Sequence, residues 1–293
     1  MTNLLWNKEV EKHFFNQSLN TFASPEQLFY MTDDKRYMAY WEKSYKGKKS
    51  TIQARNTLIG RFTETWTRNL IEQCLVGTDF YAVQSAVCPE ISLPKRSEGD
   101  VVIAKRNKTE LHAQDIVVIF EVKMSIVSNW EYKHGQLIYL GDYKSHITMP
   151  SLQRSDSILK AIGKCINIRI ASPLSATIPI VVIGNAPITR TYLSKVDHLK
   201  KSGIIQGFWS INPNPLENKS YIIHSPHGGF KQFNSFEMLQ HDIKQLILAQ
   251  LHFFSSMKST VELGKLIEIA NRASSYKQKA EIFLTLLEGE VSE

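Results

Sequence analysis

Three cysteines in 293 residues, Cys74, Cys88 and Cys165, are too widely spaced and odd in number for a disulfide framework. None has the CxxC or histidine neighbours of a zinc site. They read as reduced side chains of a core. Also missing is any apolar run long enough to span a bilayer. The stretch Met1 to Lys12 carries Glu9 and Glu11 where a leader peptide needs unbroken apolar residues. A soluble, cytoplasmic protein is expected. No Walker loop or GxGxxG stretch occurs, Gly135 and Gly141 standing alone, and no internal repeat or low-complexity tract is present. His224 and His227 flank Ser225-Pro226 without further ligands nearby, and read as turn residues rather than a metal site.

What is present is ordinary in bulk: 43% hydrophobic and 22% charged residues suit a folded protein with a full core. Lys and Arg outnumber Asp and Glu by 35 to 28, a formal charge of +7, which is compatible with a polyanionic partner without requiring one.

Residues 1–45 place Phe14, Phe15, Phe22, Phe29, Tyr30, Tyr37 and Trp41 at helical spacing, with Ser24-Pro25 as a cap and first turn. Two helices packed on the main body are predicted, their rings serving the core rather than stacking on bases. The basic stretch Lys46-Gly47-Lys48-Lys49-Ser50 opens a long helix over 52–75. One stripe of it is apolar, Leu58, Ile59, Phe62, Trp66, Leu70 and Cys74. A neighbouring stripe holds Gly60, Glu64, Thr67 and Ile71, the glycine permitting close approach and Glu64 able to reach the strands that follow. Glu72 points elsewhere and is expected to be solvated.

Tyr81 to Val87 predicts a strand, and Gly99-Asp100-Val101-Val102-Ile103 with Ile116 to Met124 a hairpin. The segment from Met124 to Pro150 mixes Trp130, Tyr132, Tyr139 and Tyr143 with Lys133, His134, Lys144 and His146. That composition suits a substrate-facing loop and equally a protein interior or a partner interface. A helix follows at 158–170, with Leu159, Ile162, Cys165, Ile166 and Ile170 as its face, then an all-apolar strand at 178–184, a helix near 191–201 and a strand at 204–211. Strand, helix, strand implies parallel crossovers in a sheet covered on both sides. Ser225 to Gly229 is a turn, and 235–287 is wholly helical.

The fold class is therefore α/β, a central mixed sheet flanked by helices with helical additions at both ends. The divisions expected are a helical segment over 1–50, a core over 51–230 and a helical segment over 231–293.

One strand is unusual. Glu121 and Lys123 break the run Ile116–Met124 two positions apart, hence on one face. Isolated charges in a buried strand are costly, and Asp100 opens the preceding strand. Charges so placed suit a site for a divalent metal and a phosphate. The spacing Asp100, then Glu121-Val122-Lys123, with Glu64 on the preceding helix, resembles the PD-(D/E)xK nuclease superfamily over roughly residues 51–211. Gly99 stands at the place of that family's loosely kept proline.

The resemblance implies a restriction-endonuclease-like core, with Asp100, Glu121, the Val122 carbonyl and Glu64 around Mg²⁺, and with Lys123 orienting or deprotonating the attacking water. The metal would lower the pKa of Lys123. A chain of this size without a helicase or ATPase module looks most like a type II restriction endonuclease. Such an enzyme cuts double-stranded DNA, is usually a homodimer, and is expected beside a cognate DNA methyltransferase. A repair, recombination or transposition nuclease of the same fold, or a non-catalytic DNA-binding protein, is the alternative. Candidate DNA contacts are Lys48, Lys49, Arg55, Lys95, Arg96, Lys133, Arg154 and Ser155, the last two at the start of the helix after the hairpin.

Overall fold

The computed structural model describes residues 5–49, 52–254 and 258–288; expectations that fall on residues 1–4, 50–51, 255–257 or 289–293 lie outside the described residues. Helix α1 (Lys8–Thr21) and the single turn α2 (Pro25–Leu28) precede two short strands, β1 (Tyr30–Met31) and β2 (Tyr37–Met38), and the long helix α3 (Gln53–Cys74). Next come β3 (Tyr81–Ala86), β4 (Gly99–Ala104), β5 (Ile116–Lys123), β6 (Asn129–Lys133) and β7 (Gln136–Gly141). Helix α4 (Ser155–Ala171), β8 (Ile180–Gly184), α5 (Leu193–Lys201), β9 (Gly207–Ser210) and β10 (Phe230–Gln232) follow, and the chain closes with α6 (Phe236–Leu248), α7 (Thr260–Ala270) and α8 (Tyr276–Glu288).

Six strands form a mixed sheet in the order β10-β9-β8-β5-β4-β3. β3, β4 and β5 are antiparallel, whereas β8, β9 and β10 run parallel to β5. Helices α4 and α5 lie on the crossovers that parallel pairing demands. Alternate residues sort to opposite faces. Val101, Ile103, Val118 and Phe120 pack with Phe14, Ile71 and Leu239 of α1, α3 and α6. Val102, Ile119 and Val182 pack with Ile158, Ala161 and Cys165 of α4 and Val196 of α5. Because both faces are covered, β5 and β8 read in the sequence as continuous apolar runs. The three cysteines are free and buried. Among the described residues no helix is long and apolar enough to cross a membrane.

The structure departs from expectation where distant segments pair. Residues 30–38 do not extend a second helix: β1 and β2 join β6 and β7 in a second, antiparallel sheet of order β1-β2-β6-β7. Phe14 and Phe15 pack from helix α1 into the core as expected, but the later rings serve this sheet, Phe29 stacking on Tyr132 and Tyr30 on Trp41, since aromatic residues suit a pleated, half-buried surface. The supposed loop after Met124 is the β6–β7 hairpin, turned by His134 at φ 50° and Gly135 at φ 77°, the left-handed pair that a two-residue connection needs. Edge strand β10 was likewise unforeseen, and the helical tract from 235 is three separate helices.

Helix α4 buries Ile158, Ala161, Cys165 and Ile168, leaving Leu159 and Ile170 58% and 62% exposed. The buried stripe is therefore rotated from the one predicted, because small Ala161 lies against the sheet in place of the larger side chains. This rotation decides the site.

Candidate active site

Asp100 shares the side of β4 that carries Val102, and Glu121 and Lys123 share the side of β5 that carries Ile119, so all three face α4. The Val122 N–H donates to Asp100 Oδ2 at 2.7 Å, which ties the start of β4 to the end of β5. Glu121 is 2% exposed. Its Oε1 accepts a hydrogen bond from the Lys123 ammonium. That ammonium also lies 3.1 Å from the Val122 carbonyl oxygen and 3.7 Å from Asp100 Oδ2.

The sequence prediction lacked the fourth member of the cluster. Lys164 of α4 donates to Asp100 Oδ1 at 2.7 Å and stands 2.8 Å from Glu121 Oε2. That second contact is an ion pair with an otherwise unpartnered oxygen. Lys164 follows Ala161 by three residues and precedes Ile168 by four, so it rides the edge of the buried stripe. Correct phasing of α4 was the signal that could have found it. Two carboxylates and two ammonium groups thus balance one another at the exit of β5.

Burial raises the Glu121 carboxyl above the ordinary range and nearby Asp100 adds to this, while Lys123 and Lys164 oppose it. For Lys123, burial alone would lower the pKa, but Glu121 and Asp100 outweigh it and the net shift is upward. The direction is opposite to that expected beside a metal, because in this arrangement the nearest charges are carboxylates. Lys164 is raised for the same reason, its carboxylate partners overcoming the burial that would lower it.

Comparison with family models, with curated proteins and with solved structures gives no match.

Glu64 reaches the group from the other side. Its helix α3 covers the opposite face of the sheet, so the carboxyl meets the cluster only at the sheet's end. Burial raises its pKa and nearby Asp100 contributes, while a Gln84 hydrogen bond and the charges of Lys164 and Lys123 lower it. The expected close approach at Gly60 is not made, since a Cβ there would meet nothing within 4 Å. Glu72 is exposed, as expected, and also accepts the Ala82 N–H at 2.8 Å, fastening α3 to β3.

Among the described residues no three His, Cys, Asp or Glu side chains lie close enough together to hold a metal ion. The donors that fit a hard cation are Asp100, Glu121 and the Val122 carbonyl. These three already converge on one positive group, the Lys123 ammonium. Oxygen donors gathered on an ammonium suit a divalent cation chemically. Glu64 belongs to a more distant layer.

Of the candidate DNA contacts, Arg55 is overturned. It is 3% exposed, donates to the carbonyls of Leu28 and Ala39 and lies over the rings of Tyr30 and Tyr40. It is a fastener beneath the small sheet and unreachable by DNA. Lys48, Lys49, Arg96, Lys133 and Ser155 are exposed. Lys95 pairs with Glu110 at 2.9 Å and Arg154 with Asp156 at 3.4 Å. All four of these last side chains are exposed, so the pairs are weak and can yield to a phosphate.

Proposed function

We propose that the chain is a Mg²⁺-dependent nuclease of the PD-(D/E)xK superfamily, acting on double-stranded DNA as a type II restriction endonuclease. The observation that carries this reading is the convergence of Asp100, Glu121, Lys123 and Lys164 at the exit of the β4–β5 hairpin. The order of α3, the β3–β5 meander, α4 and β8 supports a restriction-endonuclease-like core around it.

Asp100, Glu121 and the Val122 carbonyl would hold Mg²⁺, with Glu64 acting at one remove. When bound, the ion supplies Lewis-acid activation of the phosphate and a more acidic water. The chain's own groups do the rest. Lys123 and Lys164 set two positive charges where a pentavalent phosphorus gathers extra negative charge, and in a partly dried site such charges act strongly. Lys123, at the mouth of the cluster, orients the attacking water through its ammonium hydrogens. Buried Glu121 and the Asp100 hydrogen bond to Val122 hold the two lysines in register. Exposed basic residues Lys48, Lys49, Arg96, Lys133 and Arg154 serve phosphate contact. The apolar side chains left exposed on α7 and α8, among them Val261 and Ile267, support a homodimer, and a cognate methyltransferase would protect host DNA.

The test is incubation of the purified protein with unmethylated plasmid, with and without Mg²⁺. Discrete fragments that disappear with chelator and with Lys123→Ala are expected. Cutting confined to branched or damaged DNA would replace restriction by repair, and binding without any cutting would overturn the nuclease.

A further inference from the structure

Beyond the carboxylate–lysine cluster, the same end of the sheet carries a polar cleft of about 290 Å³, lined by Tyr143, Gln153, Thr189, Arg190, Ser220 and Tyr221 among others. Its walls are fastened to the active strand. Ser151 Oγ donates to the Lys123 carbonyl oxygen at 2.5 Å and accepts the Asn185 N–H at 3.0 Å. The Asn185 side chain in turn bridges the backbone of Ser125, accepting at 3.2 Å and donating at 2.6 Å. Ser151 adopts φ 48°, a left-handed conformation whose cost is repaid where surrounding contacts hold it. Gly184, the β8 residue paired with Lys123, must be glycine, since a Cβ would stand 2.4 Å from Leu152. One wall of the cleft, Gln153, therefore begins two residues from Ser151, and the other, Thr189 and Arg190, a few residues beyond Asn185.

The lining has the chemistry of nucleotide recognition. Two half-buried phenol rings, Tyr143 and Tyr221, line it, the Tyr221 hydroxyl donating to the Pro213 carbonyl at 2.6 Å; rings of this kind stack on bases, and the Gln153 amide, which donates to the Tyr143 hydroxyl at 3.3 Å, is of a type that reads base acceptors and donors. Arg190 is exposed, and its guanidinium makes no hydrogen bond or ion pair among the described residues. Every basic group of the catalytic cluster is engaged, whereas Arg190 is not. The volume is at the small end for ligand sites, which run from roughly 300 Å³ upward, and suits one nucleotide unit rather than a duplex.

We propose that this cleft seats one nucleotide of the DNA strand flanking the scissile phosphate, its phosphate on Arg190 and its base against Tyr143, Tyr221 and Gln153. The proposal rests on the nuclease reading above. Through Ser151 and Asn185 the cleft is joined to the backbone of Lys123, so the nucleotide seated here sets which phosphate meets the cluster.

The experiment uses the full chain carrying Lys123→Ala, so that DNA is bound and not cut, and a fluorescent duplex followed by anisotropy across a salt series. Arg190→Gln should weaken binding roughly tenfold and flatten the log–log salt slope by about one, whereas Lys277→Gln, a loss of charge on exposed α8, should leave both near wild type. In the cutting-competent chain, Tyr143→Ala should redistribute or abolish the discrete fragments. Irradiation of a duplex bearing iodouracil should cross-link Tyr143 or Tyr221. Equal effects of Arg190→Gln and Lys277→Gln, or unchanged binding and fragments in both cleft variants, would overturn the cleft while leaving the nuclease standing. A chain that neither binds nor cuts duplex DNA would instead overturn the nuclease reading and, with it, the cleft's occupant.

Discussion

Glu11 and Glu121 are almost equally withdrawn from water, 1% and 2% exposed, and burial raises the pKa of both, yet their surroundings differ in kind. Glu11 accepts from the indole N–H groups of Trp6 and Trp130 at 3.1 and 3.0 Å and from the backbone N–H groups of Val127 and Ser128 at 2.7 and 3.1 Å. All four donors are fixed by rings or backbone. Glu121 meets only the ends of two flexible lysines, one on each oxygen. A buried carboxylate saturated by rigid dipoles fastens structure, here α1 to the segment that leaves β5. A buried carboxylate facing movable cations can exchange partners, which is what a site requires.

Substitutions at these positions should separate the two kinds of charge. Glu121→Gln is expected to slow plasmid cleavage on the order of a thousandfold while calorimetry finds the unfolding temperature little changed; cleavage at the normal rate would erase the distinction. Glu11→Ala should do the reverse. It strands four buried donors and costs about 3 kcal/mol of stability, measurable by urea unfolding, with cleavage per folded molecule retained.

His146 offers a pH-dependent version of the same contrast. It lies beneath the same segment, Nε2 at 2.9 Å from the Val127 oxygen, stacked on Tyr40, and burial lowers its pKa from 6.5 to about 4. A depressed folded pKa favours the neutral ring, so its contribution is complete above pH 6.5 and is lost as pH falls through about 4, up to about 3 kcal/mol. Glu11, whose folded pKa is raised, has the opposite sign: its contribution is lost as pH rises. Comparing His146→Phe with the parent across that window isolates the histidine, and the variant should lose acid sensitivity. A parallel decline of both proteins would remove His146 from the account.

Lys164→Met should have the smallest effect, roughly a tenfold slower cleavage, or ~1.4 kcal/mol, because Lys123 still neutralises the carboxylates. A loss as complete as that of Glu121→Gln would make Lys164, rather than Lys123, the principal cation of the site.

The parts legible in the sequence were those with local signatures. Glu121 and Lys123 stood out because they interrupt an apolar strand, and the crossover order of β5, α4, β8, α5 and β9 followed from alternating periodicities. Lys164 was hidden because α4 has more hydrophobic residues than its buried face can take, so composition alone chose Leu159 and Ile170, which face water. Arg55 was misread because its partners, the Leu28 and Ala39 carbonyls and the rings of Tyr30 and Tyr40, gather only when the small sheet forms. That sheet depends on pairing Tyr37 with Tyr132, and nothing local to either residue announces the other.

The sequence by itself determined which strands are buried on both faces, where β5 ends in charge and that Asp100 opens the strand beside it, because pleat and pattern are properties of neighbouring residues. Only the tertiary structure decided that a lysine from α4 completes the cluster, that Arg55 is sealed inside and Arg190 left without a partner among the described residues, and that Ser151 and Asn185 join the cleft to the Lys123 backbone. The physical reason is that the worth of a charge depends on which distant groups surround it, and packing alone brings those groups together.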